Sequence, residues 1–301
     1  MPDDQRAASN SFSDIGARLR AHRMGRGLSP GTLADRLGIS RAALYRAEKG
    51  EIAKIDMLTA ISAELGVSLP TLLGVGTEYI PTASGFFERM RQLEEGCDQI
   101  IGVFSPVSYL LTSDRYDTIL AEVLHESLPE DAPEGRDRIA QILTILRRRK
   151  DGFRRHRPLI ASIISSPDLE RFLQVGMTGR NDLDAATLAQ RRRAALEETR
   201  YIVSLLRDQP IGQQLGVACE PMPATSFQIM RSPAGSALTI SPFRLGQQPN
   251  IGIGVGMVTR APEALELHEG ISRRLWTTAL KGGEAAAHVE TLIDRFGVPE
   301  E

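Results

Sequence analysis

Two cysteines and five histidines in 301 residues leave several chemistries without material. Cys97 and Cys219 cannot build a disulfide framework and lack a CxxC context, so a reducing compartment is expected. Both thiols read as buried structural groups rather than redox sensors. His22, His125, His156, His268 and His288 show no paired ligand spacing, so no metal site is expected. No stretch of about 18 consecutive apolar residues occurs, which excludes a membrane-spanning helix. The opening MPDDQRAASNSFSD is acidic and polar where a secretion signal would be basic and then apolar, so a cytoplasmic protein is expected. Net charge is also scarce: −2 in total, which excludes a uniformly basic chain but not a basic patch. What is present is ordinary for a folded protein. Apolar residues make up 42% and charged residues 25%, and the length suits two domains or one large one.

The distribution of charge says more than its sum. Between Ser13 and Lys54 stand nine Lys/Arg against four acids, so the remainder of the chain is net acidic. A basic module joined to a larger acidic partner is the pattern of a nucleic-acid reader with a second job downstream. A solvated, charged helix face gives the same count.

Residues 1–12 read as a disordered polar tail. From residue 13 to 75 the punctuation predicts five short helices, a small all-α domain. Ser13 or Asp14 can cap the first helix, which Gly25 and Gly27 stop. Ser29 caps the second with Pro30 at its first position, where a missing N–H costs nothing. Gly38 ends that helix, and Ser40 caps a third running from Arg41 to Lys49. Met57, Leu58, Ile61 and Leu65 line a fourth, and Ser68 and Pro70 open a fifth. Residues 76–85 fall in a Gly/Thr/Ser-rich run that reads as a linker. Residues 86–301 then mix periods. Helices are expected at Phe86–Cys97, Tyr116–Leu128, Arg136–Lys150 and Asp184–Arg207, with two more closing the chain. Strands are expected at Gln99–Phe104, at Leu159–Ser165 and in a β-rich stretch from Gln213. The fold class is therefore multidomain: an all-α module followed by a mixed α/β domain.

Within Pro30–Lys49, two steeply crossing helices need a small residue where their backbones touch, supplied by Ala34. They also need a residue free to take positive φ at the turn, supplied by Gly38. Ile39, Leu44 and Ala47 anchor the second helix, leaving Arg41, Ala42, Tyr45 and Arg46 outward. This segment, with Arg23 before it and Glu48-Lys49-Gly50 after it, resembles the helix-turn-helix domain of phage Cro and repressor proteins and of xenobiotic-response-element-type bacterial regulators. The resemblance spans Ile15 to Leu73. It implies a sequence-specific transcriptional regulator, cytoplasmic and associated with the nucleoid, whose second helix enters the major groove of double-stranded DNA.

By that resemblance Arg41, Ala42 and Arg46 meet base edges, and an Arg can bond both O6 and N7 of a guanine. Ala42 suits a thymine methyl. Tyr45 reaches backbone or sugar, and Ser40 and Lys49 meet phosphates. Arg23 and Glu48 match an ion pair that ties the first helix to the third. Pro30 departs from the family, which often carries Gln there to hold a phosphate, so that contact is absent or moves to Ser29 or Thr32.

The larger domain is more distantly similar to effector or dimerisation domains that follow such modules, in SPVSYLLTSDRYDTIL and in the segment from Ser241 to Leu280. A homodimer is expected, with control by a small molecule or a protein effector. The alternative is a DNA-targeted scaffold whose larger domain binds a partner protein. Gly252, Gly254 and Gly256 read as one bare strand face, either covered by a helix or open to a flat ligand, with Arg244 and Arg260 placed to meet an anionic group. Their G-I-G-V-G spacing is not the dinucleotide-binding pattern, and no cofactor is expected. The basic runs Arg147–Lys150, with Arg154, Arg155 and Arg157, and Arg191–Arg193 read as solvated helix faces, the alternative being an anion site or added DNA contacts. No clustered acid, base or nucleophile stands out, and the Ser-Lys machinery of self-cleaving repressors is not seen, so no enzyme is expected.

Overall fold

The computed structural model describes residues 3–51, 55–128 and 133–298, with side chains from Asp14 onward apart from that of Pro133. Its first part is the expected set of short helices: α1 (Asp3–Gly25), α2 (Pro30–Arg36), α3 (Arg41–Glu48), α4 (Ile55–Leu65) and α5 (Leu69–Leu73). The caps of α2, α3 and α5 are made as the residues suggest, whereas Ser13 and Asp14, expected to cap the first helix, lie inside α1. Ser29, Ser40 and Ser68 each accept a hydrogen bond from the backbone N–H three residues on, and Gly38 turns the chain at φ +64°. Leu19, Leu33, Ala34, Leu44, Ala47, Ile61, Leu65 and Leu72 close a dry core between the five helices.

Residues 3–12, expected as a disordered tail, instead begin α1. No glycine or proline interrupts the sequence from Asp3 to Ile15, and two acids lead it, which favours the positive end of a helix. The expected linker at 76–85 is also overturned. Its residues form strand β1 (Thr77–Ile80) and the start of α6 (Ala83–Glu95), so the larger domain begins directly after the small one. In β1 the side chains alternate, with Tyr79 outward and Glu78 and Ile80 buried.

That larger domain is built on one mixed sheet of β1, β2 (Gln99–Phe104), β3 (Leu159–Ser165), β4 (Gln213–Ala218), β5 (Ser226–Ser232), β6 (Gly235–Ser241), β7 (Gly256–Thr259) and β8 (Leu280–Lys281). The strand order is β1-β7-β6-β5-β2-β3-β4-β8, with β2, β3 and β4 parallel and every other pairing antiparallel. Helices α7 (Asp114–Glu126) and α8 (Pro133–His156) cross from β2 to β3. Helices α9 (Ser166–Val175) and α10 (Ala185–Asp208) cross from β3 to β4. One sheet face packs Ile100, Ile160, Ile164 and Met230 against the core shared with α6, α7, α8, α10 and α12 (Gly282–Phe296). The other face packs Val103, Ile163, Ile229 and Leu238 under Leu275 of α11 (Pro262–Thr278).

Helix α1 lies on α6, and the junction is charged as well as close. A Cβ on Gly25 would sit 2.5 Å from Thr82 Oγ1, and one on Gly85 3.1 Å from the Ala21 carbonyl oxygen, so two bare positions set the helix separation. Glu78 takes Arg18 Nε at 2.6 Å and Arg89 Nε at 3.0 Å, all three side chains buried. Burial alone would raise the Glu78 pKa, but Arg89 and Arg18 more than reverse this and hold the carboxyl below its usual range. Arg20 pairs with Glu88 at 3.5 Å, and Arg260 with Asp14 at 3.4 Å.

Beside this triad His22 is buried, and its Nε2 has no partner among the described residues. Burial, opposed by Glu78 but reinforced by Arg89, Arg18 and Arg26, lowers its pKa from 6.5 to about 4. The unfolded chain therefore binds a proton there before the folded one, and stability is lost as pH falls from about 6.5 towards 4. Across that window His22→Gln should lose about 3 kcal/mol less stability than the wild type, read from denaturant titrations at several pH values. Parallel pH profiles for the two proteins would show that His22 does not titrate in this way.

Candidate nucleic-acid interface

Helix α3 is divided lengthwise by burial. Leu44 and Ala47 are fully buried, while Arg41, Ala42, Tyr45, Arg46 and Lys49 are exposed on the opposite side. Three contacts hold α3 at its angle. Leu33 and Ala34 of α2 pack beneath it, and Ile39 N–H donates to the Ala34 carbonyl at 3.0 Å across the turn. At its far end, α1 crosses so closely that a Cβ on Gly16 would lie 2.6 Å from the Ala47 and Glu48 carbonyl oxygens. Any side chain at Gly16 would displace α3.

Arg23 and Glu48 meet as the resemblance implies. Arg23 Nε donates to Glu48 Oε1 at 2.5 Å and its Nη2 to Oε2 at 3.3 Å, while Nη1 donates to the Leu28 carbonyl at 2.7 Å. Each side chain is 8% exposed. One residue of α1 thus holds both the end of α3 and the loop that enters α2.

The outward side chains are arranged rather than loose. The Arg41 guanidinium lies against α2, where a Cβ on Gly31 would be 2.8 Å from its Nε. Lys49 Nζ sits 4.7 Å from the centre of the Tyr45 ring, a cation–π contact that places a charge and an aromatic edge together. Ser29, Thr32 and Ser40 are exposed at the starts of the two helices, with Ser29 and Thr32 hydroxyls 2.8 Å apart. Gly16 and Gly31 were missed by sequence reasoning, since the atoms that crowd them come from another helix.

The glycine-based site in the larger domain does not assemble. Only Gly256 is in a strand, and a Cβ there would strike the Phe86 ring of α6 at 2.2 Å. Gly252 and Gly254 lie in a loop shaped by Asn250, whose Oδ1 accepts from Gly252 N–H at 3.3 Å and Ile253 N–H at 3.1 Å. An Asn side chain that satisfies nearby backbone groups competes with sheet pairing, and here it wins. Helix packing is therefore the role of Gly256, with α6 as the covering helix, whereas Trp276 of α11 lies over Gly216. Arg260 is tied to Asp14, and Arg244 stands apart from it beside a different cleft.

Cys97 is buried, as expected, its thiol pushed up to about 12 by burial first and by Glu94 and Asp98 next. Other expectations need correction. Cys219 is exposed, 3.8 Å from His288 Nε2. Arg149 and Lys150 are not solvated: they are buried against Glu94 at 2.7 Å and Asp117 at 3.0 Å. Arg191 is likewise buried, beside Glu122 and Glu126.

Residues 19–72 match the family model described as helix-turn-helix. This part of the chain is a helix-turn-helix domain. At that level the protein is a DNA-binding transcriptional regulator. No curated protein matches the chain. Among solved structures, the apo form of ComR from S. thermophilus is similar at 20% identity, over 64% of this chain and 72% of that one, with a TM-score of 0.20. No helix among the described residues is long and apolar enough to cross a membrane.

The buried Arg23–Glu48 pair sets an expectation for the helix-turn-helix domain. Arg23→Ala leaves Glu48 with its charge uncompensated, a change that costs about 3–5 kcal/mol at buried sites. Chemical denaturation of the full chain should show the loss in the transition that reports α1–α3. An unchanged midpoint would mean that the pair does not hold the helices.

Proposed function

We propose that the protein is a dimeric, sequence-specific transcriptional regulator whose DNA affinity is governed by an effector in its α/β domain. The observation that carries the DNA half is the split face of α3: apolar residues inward, and Arg41, Ala42, Tyr45 and Arg46 outward. In the major groove Arg46 and Arg41 read guanines through O6 and N7, and Ala42 meets a thymine methyl. Tyr45 contacts sugar or backbone beside Lys49. Ser29, Thr32, Ser40 and Lys49 bind phosphates and set register without reading sequence. Pro30 supplies no amide for the phosphate that the family often holds there, and the hydroxyls of Ser29 and Thr32 stand in its place.

Dimerisation follows from information content. One such helix reads only a few base pairs, and discrimination against a genome requires two half-sites about 34–36 Å apart. The α/β domain offers the larger surface for that contact. It also offers room for a regulator's second state, since a cleft opens between α6 and its sheet.

The test is a duplex selected from random sequence and titrated against the full chain at several salt concentrations. Arg46→Ala should lose about 1–3 kcal/mol and relax selectivity at one base position in each half-site. Lys49→Ala should weaken all duplexes alike and lower the salt slope by about 1. Wild-type affinity in Arg46→Ala would refute the groove assignment. Sedimentation equilibrium should return twice the 32.9 kDa chain mass, and a single-chain mass on a symmetric duplex would refute the dimer.

A further inference from the structure

The cleft lies between α6 and the sheet, at the carboxyl end of β2, with a cavity of about 60 Å³ that opens to solvent at its mouth. Phe87 and Met90 of α6, Phe104 of β2 and Phe243 after β6 make its apolar walls. Its floor is formed by neighbouring positions of β2, β5 and β6. Gly102 pairs with Gln228, and Gln228 with Thr239. Gly102 brings no side chain, and the Phe104 ring folds back across it.

Two polar features break this lining. Gln228 is 4% exposed, and its Oε1 is fully buried with no hydrogen-bond partner among the described residues. A buried amide oxygen without a donor is costly, and such groups are rare outside sites that await a ligand or water. At the mouth stands the exposed side chain of Arg244. Its backbone is fixed by reciprocal hydrogen bonds with Asn250 at 3.0 and 2.9 Å, while its guanidinium has no partner among the described residues. Arg149 also lines the cleft, but Glu94 holds it through two hydrogen bonds of 2.9 and 2.7 Å, so its charge is already met.

We infer that this cleft binds a flat aromatic molecule carrying an N–H or O–H donor and an anionic group, the donor directed at Gln228 Oε1 and the anion at Arg244. The ring lies among Phe87, Phe104 and Phe243, where stacked and edge-on aromatic contacts are available. The inference rests on the effector-controlled reading and gives that effector a chemistry and a place. It also gives it a route. The helix whose Phe87 and Met90 wall the cleft presents Glu88 and Arg89 to the α1 junction, where they engage Arg20 and, through Glu78, Arg18. An occupant that favours one position of α6 thereby favours one position of the helix-turn-helix domain.

Three probes test it by calorimetry on the full chain: indole-3-acetate, indene-3-acetate without the N–H, and indole-3-acetamide without the charge. Indole-3-acetate should bind once per chain, and each of the others at least tenfold more weakly. Gln228→Leu should erase the preference for indole over indene, and Arg244→Ala the preference for acid over amide. Absence of saturable binding, or equal binding of the three probes to the wild type, would overturn the inference without any variant. Preferences that survive in folded Gln228→Leu and Arg244→Ala would also overturn it. Titration of the selected duplex runs beside these measurements. Intact DNA binding with no probe binding sinks this inference alone, whereas probe binding without DNA binding sinks the regulator reading.

Discussion

The structure depends on one carboxylate held between two guanidinium groups out of reach of water. Glu78 leaves the helical module on β1 and is met by Arg18 from α1 and Arg89 from α6. Three charges in such a place are tolerable only together, because each alone would carry a large desolvation cost. The triad joins a DNA-binding module to the sheet domain without any spacer. With Arg20–Glu88 and the bare contacts at Gly25 and Gly85, it makes α1 and α6 a continuous piece of structure.

That continuity changes how regulation can work here. Domains joined by a flexible tether communicate through local concentration or through contacts made and broken at a distance. Domains joined by a buried ion cluster and two closely crossing helices communicate through position. A change of about an ångström in α6 must be taken up at α1, because packed interiors do not absorb displacement gradually. From α1 it reaches α3 through Gly16 and through Arg23–Glu48, both of which fix the angle of the outward face.

The five-helix module was legible because its instructions are local. Ser29, Ser40 and Ser68 lie next to the helices they cap, and Gly38 sits in the turn it permits. The outward face of α3 followed from spacing alone. What composition hid was long-range. The run around Thr77 looks like a linker until Glu78 is seen to have partners 60 and 11 residues away. Ser165 hid α9 for a related reason: it ends β3 and caps the next helix, leaving no punctuation between them. The glycine series misled because alternation suggests a strand, while the Asn250 side chain had already claimed the backbone groups a strand would use. In the larger domain, buried arginines passed for solvent-facing ones, since the acids that neutralise them come from other helices.

The two ends of the sheet are also informative. One edge is β1, four residues long, and the other is β8, only two. Short edge strands offer few unpaired backbone groups, which protects a sheet from joining another copy of itself edge to edge. Eight strands arranged with their longest members inside and their shortest outside therefore leave little for an incoming strand to grip. If two copies meet on DNA, the surfaces left to them are the helical layers, so the partner contact is governed by side chains that can vary from one homologous regulator to the next without touching the sheet.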